Sequence, residues 1–249
     1  LTGLMAAQPF FGIITGDQSL RSRPMTRVVE PLSQMGATII GRGNNSLAPL
    51  AIRGGNLKGI EYKLKVASSQ VKSSILIAGL FANEETSIIQ PAVSRDHTER
   101  MLNLMGAHLQ IDGLRVSIKK SNLTALDIKV PGDISAATFW IVAACCHPNA
   151  HIRIQSVGVN PTRTGVLDVL KAMGAKITLE EMRENAGEPI ADLVAESSDL
   201  VGTEIYGDMI PRVIDELPVL ALAACFAKGT TVIKDASELR VKESDRIRS

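Results

Sequence analysis

Three stretches, VVEPLSQMGATI (28–39), RMLNLMGAHLQI (100–111) and GVLDVLKAMGAKI (165–177), share the pattern that decides the fold. Each places apolar residues at helical spacing, reaches Met-Gly-Ala and continues into a β-prone segment. The glycine stands where helices commonly end with a left-handed residue. The tripeptides begin at Met35, Met105 and Met173. This recurrence predicts a repeated unit of helix, glycine and strand.

A second series of apolar helices interleaves with the first. Its members are SSQVKSSILIAGLFA (68–82), DISAATFWIVAACC (133–146) and IDELPVLALAACFA (214–227), and a β-prone segment follows each. Together the two series predict an α/β (α+β) fold built from repeated units. The polar stretch KKSNLTALDIKVPGD (119–133) is typical of a linker. We therefore predict two domains, 1–128 and 129–249.

The composition argues against several classes of protein. The chain has 249 residues and a net charge of +1, with 27 basic and 26 acidic residues interspersed, so we expect no nucleic-acid partner. No apolar run reaches membrane-spanning length, and we expect no membrane association. Cys145, Cys146 and Cys225 lie in Ala-rich apolar runs without zinc-site spacing. They are interpreted as buried, reduced thiols, which favours a cytoplasmic protein without a metal.

Basic residues recur in the loops of the repeat. They are Arg21 and Arg23 in GDQSLRSRP (16–24), Arg95 in SRDHTERML (94–102), Arg163 in GVNPTRTG (158–165), and Lys242 and Arg246 in RVKESDRI (240–247). Cations on loops of a rigid scaffold are typical of anion sites. The recurrence favours that role for Arg23, Arg95, Lys242 and Arg246. Arg163 is interpreted as a solvated charge, and His97 as a solvated or helix-capping side chain.

Several of these segments resemble EPSP synthases in their order and spacing. The segments are 16–37, 68–80, 94–102, 214–224 and 240–247, and the resemblance runs along essentially the whole chain. It implies two globular halves, each made of three βαβαββ units, with the site in the cleft between them. It also implies transfer of the enolpyruvyl group of phosphoenolpyruvate to the 5-hydroxyl of shikimate 3-phosphate, with release of phosphate, by a monomer that needs no cofactor.

The resemblance assigns substrate contacts in the first half of the chain. Arg23 resembles the arginine that grips phosphoenolpyruvate, and we expect Pro24 to lie in the first turn of the following helix. Ser68, Ser69 and Gln70 resemble the triplet that binds shikimate 3-phosphate. We expect Ser68 to be an N-cap, and such a helix start is itself an anion site. Arg95 resembles a phosphate-contacting arginine.

The resemblance places the proton-transfer groups in the second half. Asp215 resembles the base for the 5-hydroxyl, although an aspartate at a helix start is an alternative interpretation. Glu243 resembles a participant in proton transfer at the methylene carbon. Lys242 and Arg246 would contact shikimate 3-phosphate and phosphoenolpyruvate, and on a helix they would share one face. The alternative is an ordinary charged helix terminus.

Two other functions stay open on the sequence. A UDP-N-acetylglucosamine enolpyruvyl transferase would share the fold, but its cysteine has no counterpart in residues 16–24. A non-catalytic module that binds phosphate ligands would not need Asp215 or Glu243. The family's first strand and its C-terminal arginine and lysine also have no counterpart. We therefore expect an internal fragment, incomplete at both ends and inactive or nearly so alone.

Overall fold

The computed structural model of the chain describes residues 1–240 and 245–248. The chain divides into two compact units, Leu1–Leu126 and Asp127–Ser249. The first is called unit 1 and the second unit 2, and each is described by itself. The assignment of residues 1–128 and 129–249 to separate domains stays a prediction.

Unit 1 alternates short helices with short strands. Its helices are α1 (Thr2–Ala6), α2 (Gln18–Ser22), α3 (Thr26–Gln34), α4 (Arg42–Asn45), α5 (Ser69–Gly79) and α6 (His97–Leu104). Its strands are β1 (Phe11–Ile14), β2 (Thr38–Gly41), β3 (Leu47–Arg53), β4 (Glu61–Lys63), β5 (Thr86–Ile89), β6 (Leu109–Asp112) and β7 (Arg115–Ile118). The stretch from β4 to β7 is a complete βαβαββ unit.

The strands of unit 1 form two sheets, ordered β1-β3-β2 and β4-β5-β7-β6. In the second sheet β4 and β5 are parallel, since α5 connects them, while β7 runs antiparallel to β5 and to β6. In the first sheet β3 is antiparallel to both β1 and β2, which repeats the last part of the same arrangement.

Unit 2 also alternates helices with strands. It contains α7 (Ile134–Cys146), β8 (His151–Gly158), α8 (Gly165–Ala172), β9 (Lys176–Asn185), β10 (Glu188–Glu196), β11 (Glu204–Ile205), α9 (Met209–Val213), α10 (Leu217–Phe226), β12 (Val232–Ile233) and a 3-10 turn at Ser237–Arg240. β10 pairs antiparallel with β8 and β9, and a parallel bridge joins Gly132 to Val157. The predicted α/β repeat is confirmed.

The Met-Gly-Ala glycines end α3, α6 and α8 in the predicted way. Gly36, Gly106 and Gly174 have φ angles of 108°, 86° and 89°. Each glycine N–H donates to the carbonyl three residues back, and each following alanine N–H to the carbonyl five residues back. This double bond pattern is the Schellman motif, in which a left-handed glycine closes the helix and redirects the chain. In each repeat the strand therefore begins at a fixed position after the end of the helix.

Apolar faces of the helices build one core in each unit. Leu32 and Leu102 lie in the core of unit 1, and Leu170 lies in that of unit 2. The prediction that all three cysteines are buried is confirmed for Cys145 and wrong for the other two, since Cys146 is half-buried and Cys225 is exposed. Cys225 is exposed because α10 buries Leu217, Leu220 and Ala223 on its other face. No helix in the described part of the chain is both long and apolar enough to cross a membrane.

An ion network braces β8, β9 and β10. The Asp192 carboxylate accepts from the Ser156 N–H at 2.9 Å, and Arg153 and Arg183 lie at 3.0 and 3.4 Å. The Ser156 hydrogen bond, with the two guanidinium groups, lowers the pKa of Asp192 below its ordinary value. Asp192 is 2% exposed, so its charge depends on these partners.

We expect Asp192→Asn to unfold at a lower urea concentration than the parent at pH 7. Because the folded-state pKa is lowered, the carboxylate stabilises the fold above its unfolded-state pKa, about 3.9, and this stabilisation is lost as pH falls through the folded value. The difference in urea midpoint between Asp192→Asn and the parent should therefore become smaller below about pH 4. Glu184→Gln, on the exposed side of β9, is the control. A gap that stays constant down to about pH 2 would contradict this account.

Candidate active site

The Ser68-Ser69-Gln70 triplet forms the start of α5. Ser68 is the N-cap, as predicted, and its Oγ accepts from the Val71 N–H at 3.5 Å. Ser68 and Ser69 are half-buried and Gln70 is exposed. The N–H groups of a first helical turn lack intrahelical partners and carry a partial positive charge. With its hydroxyls and N–H groups together, this helix start can bind an anion.

Arg95 lies in the loop between β5 and α6 and is half-buried. Gln90 holds this loop, since its Oε1 accepts from the Ser94 N–H at 3.3 Å and from the Ser94 hydroxyl at 2.7 Å. Asp96, the N-cap residue of α6, pairs with Arg100 at 2.9 Å. Arg95 thus stands on a segment that is fixed on both sides.

A buried ion pair that no local sequence pattern predicts joins α5 to α6. Lys72 Nζ lies 2.5 Å from Glu99 Oε1, and the two side chains are 1% and 3% exposed. Lys72 Nζ also donates to the Ser94 carbonyl at 3.3 Å. Lys72 therefore connects the two segments of unit 1 that carry predicted substrate-binding residues, which are the start of α5 and the loop with Arg95.

Arg23 lies where α2 ends. Its Nη2 donates to the Ser19 hydroxyl at 3.5 Å, and its side chain is half-buried. The expectation that Pro24 occupies the first turn of the next helix is wrong, because α3 begins at Thr26. Proline restricts the residue before it to extended backbone, and Arg23 has φ −79° and ψ 137°. Pro24 therefore ends α2 and leaves Arg23 on the connecting loop.

In unit 2, Asp215 lies between α9 and α10 and pairs with Arg246. Arg246 Nη1 lies 3.2 Å from Asp215 Oδ1 and donates to the Ile214 carbonyl at 3.3 Å. Both side chains are about one-quarter exposed, at 24% for Asp215 and 21% for Arg246. The structure thus brings together a predicted base and a predicted ligand of phosphoenolpyruvate.

The end of the chain differs from the expected helix in its described part. Residues 246–248 form a turn, and the Ile247 N–H donates to Asp245 Oδ1 at 3.2 Å. Arg246 therefore lies in a turn. The Asp245 side chain accepts a backbone N–H there, which offers the backbone an alternative to helical hydrogen bonds. Lys242 and Glu243, the other predicted site residues of this segment, lie outside the described residues.

Arg163 is not the solvated charge that the sequence analysis expected. It is 14% exposed, and its Nη2 lies 2.5 Å from the Ser135 hydroxyl, 3.2 Å from Asp133 and 3.6 Å from Glu216. Ser135 also donates to Glu216, which is 1% exposed. A buried carboxylate at the start of α10 requires a countercharge, and Arg163 supplies one. This network anchors the residue that directly follows Asp215.

A cavity in unit 1 does not coincide with these residues. A cleft of about 510 Å³ in unit 1 is lined in part by Phe10, Phe11, Phe81, Arg53 and Lys120, none of which was a predicted ligand. Within residues 1–240 and 245–248, no three His, Cys, Asp or Glu side chains are grouped so that they could hold a metal ion.

Comparison with known proteins identifies the family of the chain. The family model of EPSP synthase (3-phosphoshikimate 1-carboxyvinyltransferase) matches residues 1–249. The chain belongs to the EPSP synthase family. It is 55% identical over 248 residues to the 3-phosphoshikimate 1-carboxyvinyltransferase of Desulforudis audaxviator, and 56% identical over 247 residues to that of Geotalea uraniireducens. Each alignment covers 99% of this chain and 58% of the relative.

Solved structures show the same fold. The EPSP synthase of Acinetobacter baumannii matches with a TM-score of 0.86 and 48% identity, over 99% of this chain and 56% of that chain. The enolpyruvyl transferase NikO of Streptomyces tendae matches with a TM-score of 0.69 and 17% identity, over 90% of this chain and 52% of that chain, which shows the fold alone. The chain thus has the EPSP synthase fold and spans little more than half the length of these relatives.

We expect Arg163→Met to lower the free energy of unfolding by about 2 kcal/mol, the range for hydrogen bonds to charged groups. Lys234→Met is the control, because the Lys234–Glu204 pair is about half exposed, at 54% and 55%, and such pairs contribute little. Urea denaturation of both variants measures the difference. Equal midpoints for the two variants would show that the Arg163 network is not a stability element.

Proposed function

We propose that the full-length protein containing this chain transfers the enolpyruvyl group of phosphoenolpyruvate to the 5-hydroxyl of shikimate 3-phosphate and releases phosphate. The observation that carries the proposal is the family match along all 249 residues. The helix start at Ser68 supports it, because both substrates are anions and this start offers hydroxyl and N–H donors. The proposal includes a cytoplasmic monomer that works without a cofactor.

The proposed chemistry divides among named residues. The 5-hydroxyl oxygen bonds to the enol carbon as Asp215 accepts its proton, and Glu243 takes part in protonating the methylene carbon. Loss of a proton from that carbon then expels phosphate and restores the double bond. Ser68, Ser69, Gln70 and Lys242 bind shikimate 3-phosphate, and Arg95 contacts a phosphate group.

Phosphoenolpyruvate is held by the two arginines of the proposal. They are Arg23 and Arg246, and a planar guanidinium suits both carboxylate and phosphate groups. The Asp215–Arg246 pair gives this assignment a physical basis in unit 2. Arg246 orients the carboxylate of the proposed base, so the base for the 5-hydroxyl and a proposed ligand of phosphoenolpyruvate lie side by side.

The assay that tests the proposal measures phosphate release by the full reading frame that contains this chain. Phosphoenolpyruvate is supplied with either shikimate 3-phosphate or UDP-N-acetylglucosamine. We expect release with shikimate 3-phosphate alone. Release with the UDP sugar alone would replace the proposal by the second transferase activity, and release with neither would favour a phosphate-ligand binding module.

We expect Asp215→Asn to lower kcat by about 10² to 10⁴, the usual range for loss of a general base. The asparagine keeps the size of the side chain, so the KM of each substrate should change little. Asp199→Asn is the matched control, since the Asp199 side chain is 97% exposed. A kcat within about twofold of the parent would remove Asp215 from the proton-transfer step.

A further inference from the structure

The buried pair of Lys72 and Glu99 lies between the two groups of predicted ligand residues in unit 1. Lys72 is four residues beyond the N-cap Ser68, and Glu99 is four residues beyond Arg95. Each charge therefore lies about one turn into the helix that follows a predicted ligand. A second contact runs beside the pair, where the Ser73 and Thr98 hydroxyls are 2.6 Å apart.

Helix stability does not explain a lysine at this position. A cation in the first turns of a helix opposes the helix dipole, and burial of the charge adds a desolvation cost. Two apolar side chains of similar volume would fill the same space without that cost. The ion pair does what apolar contacts do less well: it fixes a distance and a direction between α5 and α6.

The pair also controls the loop that carries Arg95. Lys72 Nζ donates to the Ser94 carbonyl at 3.3 Å, and Gln90 holds the N–H and hydroxyl of the same serine. Ser94 is 7% exposed and directly precedes Arg95. The Ser94 N–H is thereby bonded to Gln90 and the Ser94 carbonyl to Lys72 on α5, so a shift of Lys72 displaces the backbone from which Arg95 extends.

We propose that Lys72 and Glu99 are positioning residues that set the spacing between the α5 start and Arg95 for a phosphate-bearing substrate. The inference deepens the proposed function and rests on it for the identity of the substrate. The two charges cancel and contact each other, and Lys72 also contacts the Ser94 carbonyl, so the pair adds little net field. Its loss acts through geometry, and an error of about 1 Å in such sites weakens function by up to about 10².

The test replaces both charges in the full-length protein by Lys72→Met and Glu99→Met. This double variant keeps a filled core, and such replacements are commonly neutral or stabilising. We expect a urea midpoint equal to or above that of the parent, with affinity for shikimate 3-phosphate about tenfold lower by titration calorimetry. The KM for this substrate should rise in parallel, while kcat changes less.

The control is the double variant Lys65→Met and Glu30→Met. Lys65 and Glu30 form an ion pair of 3.3 Å in the same unit, with side chains that are 79% and 38% exposed. An exposed pair contributes little, so both the midpoint and the affinity should match the parent. A loss of affinity in this control equal to that of the first variant would overturn the inference.

A double variant that is stable and binds shikimate 3-phosphate as the parent does would show that the pair is only a packing element. Glu99→Gln, which keeps the shape of the side chain, is the second variant, and weaker binding by a folded protein is again expected. If neither variant folds, the pair is a stability element and the inference fails.

Binding and turnover separate this inference from the proposed function. A parent that binds shikimate 3-phosphate without releasing phosphate from phosphoenolpyruvate would refute the activity, while weaker binding by the variants would still support the inference. A parent that binds neither shikimate 3-phosphate nor inorganic phosphate would overturn both.

Discussion

The left-handed glycine at the end of α3, α6 and α8 is the constraint on which the fold depends. A helix that must stop and turn into a strand needs a residue that accepts positive φ, and Gly36, Gly106 and Gly174 supply it. The alanine after each glycine is buried, and its N–H donates to the carbonyl of a buried leucine, Leu32, Leu102 or Leu170, which anchors the turn in the core. Each strand then begins at a set position, and the repeat keeps its register.

The starts of α5, α7 and α10 show how one repeat supports different chemistry. Their N-cap residues are Ser68, Asp133 and Glu216. A serine hydroxyl is neutral and leaves the positive helix start open to an anion, whereas a carboxylate already compensates it. At α7 and α10 the carboxylates are instead bound by Arg163. Of these three helix starts, α5 is therefore the one suited to an anionic ligand.

Sequence predicted what local signals determine. The helix ends, the repeat and the Ser68 cap all follow from residues within a few positions of one another. The Arg163–Glu216 and Lys72–Glu99 contacts join residues distant in sequence, so no local pattern distinguishes them from solvated charges. Pro24 was misplaced for a different reason: proline is compatible both with a first helical turn and with ending the previous helix, and tertiary context decides.

The buried ion pairs have a desolvation cost, and their positions in the fold indicate what they contribute in return. Desolvation makes such a pair a poor source of stability, so its benefit must lie in the geometry it imposes. Donors for a phosphate group must be held within about 0.5 Å to act together. Lys72 and Glu99 cancel each other, so under the proposed function the anion is attracted to the Ser68 helix start and Arg95 and not to this pair. A single buried lysine would attract the anion towards itself, whereas a neutral pair orders the site without competing for the ligand.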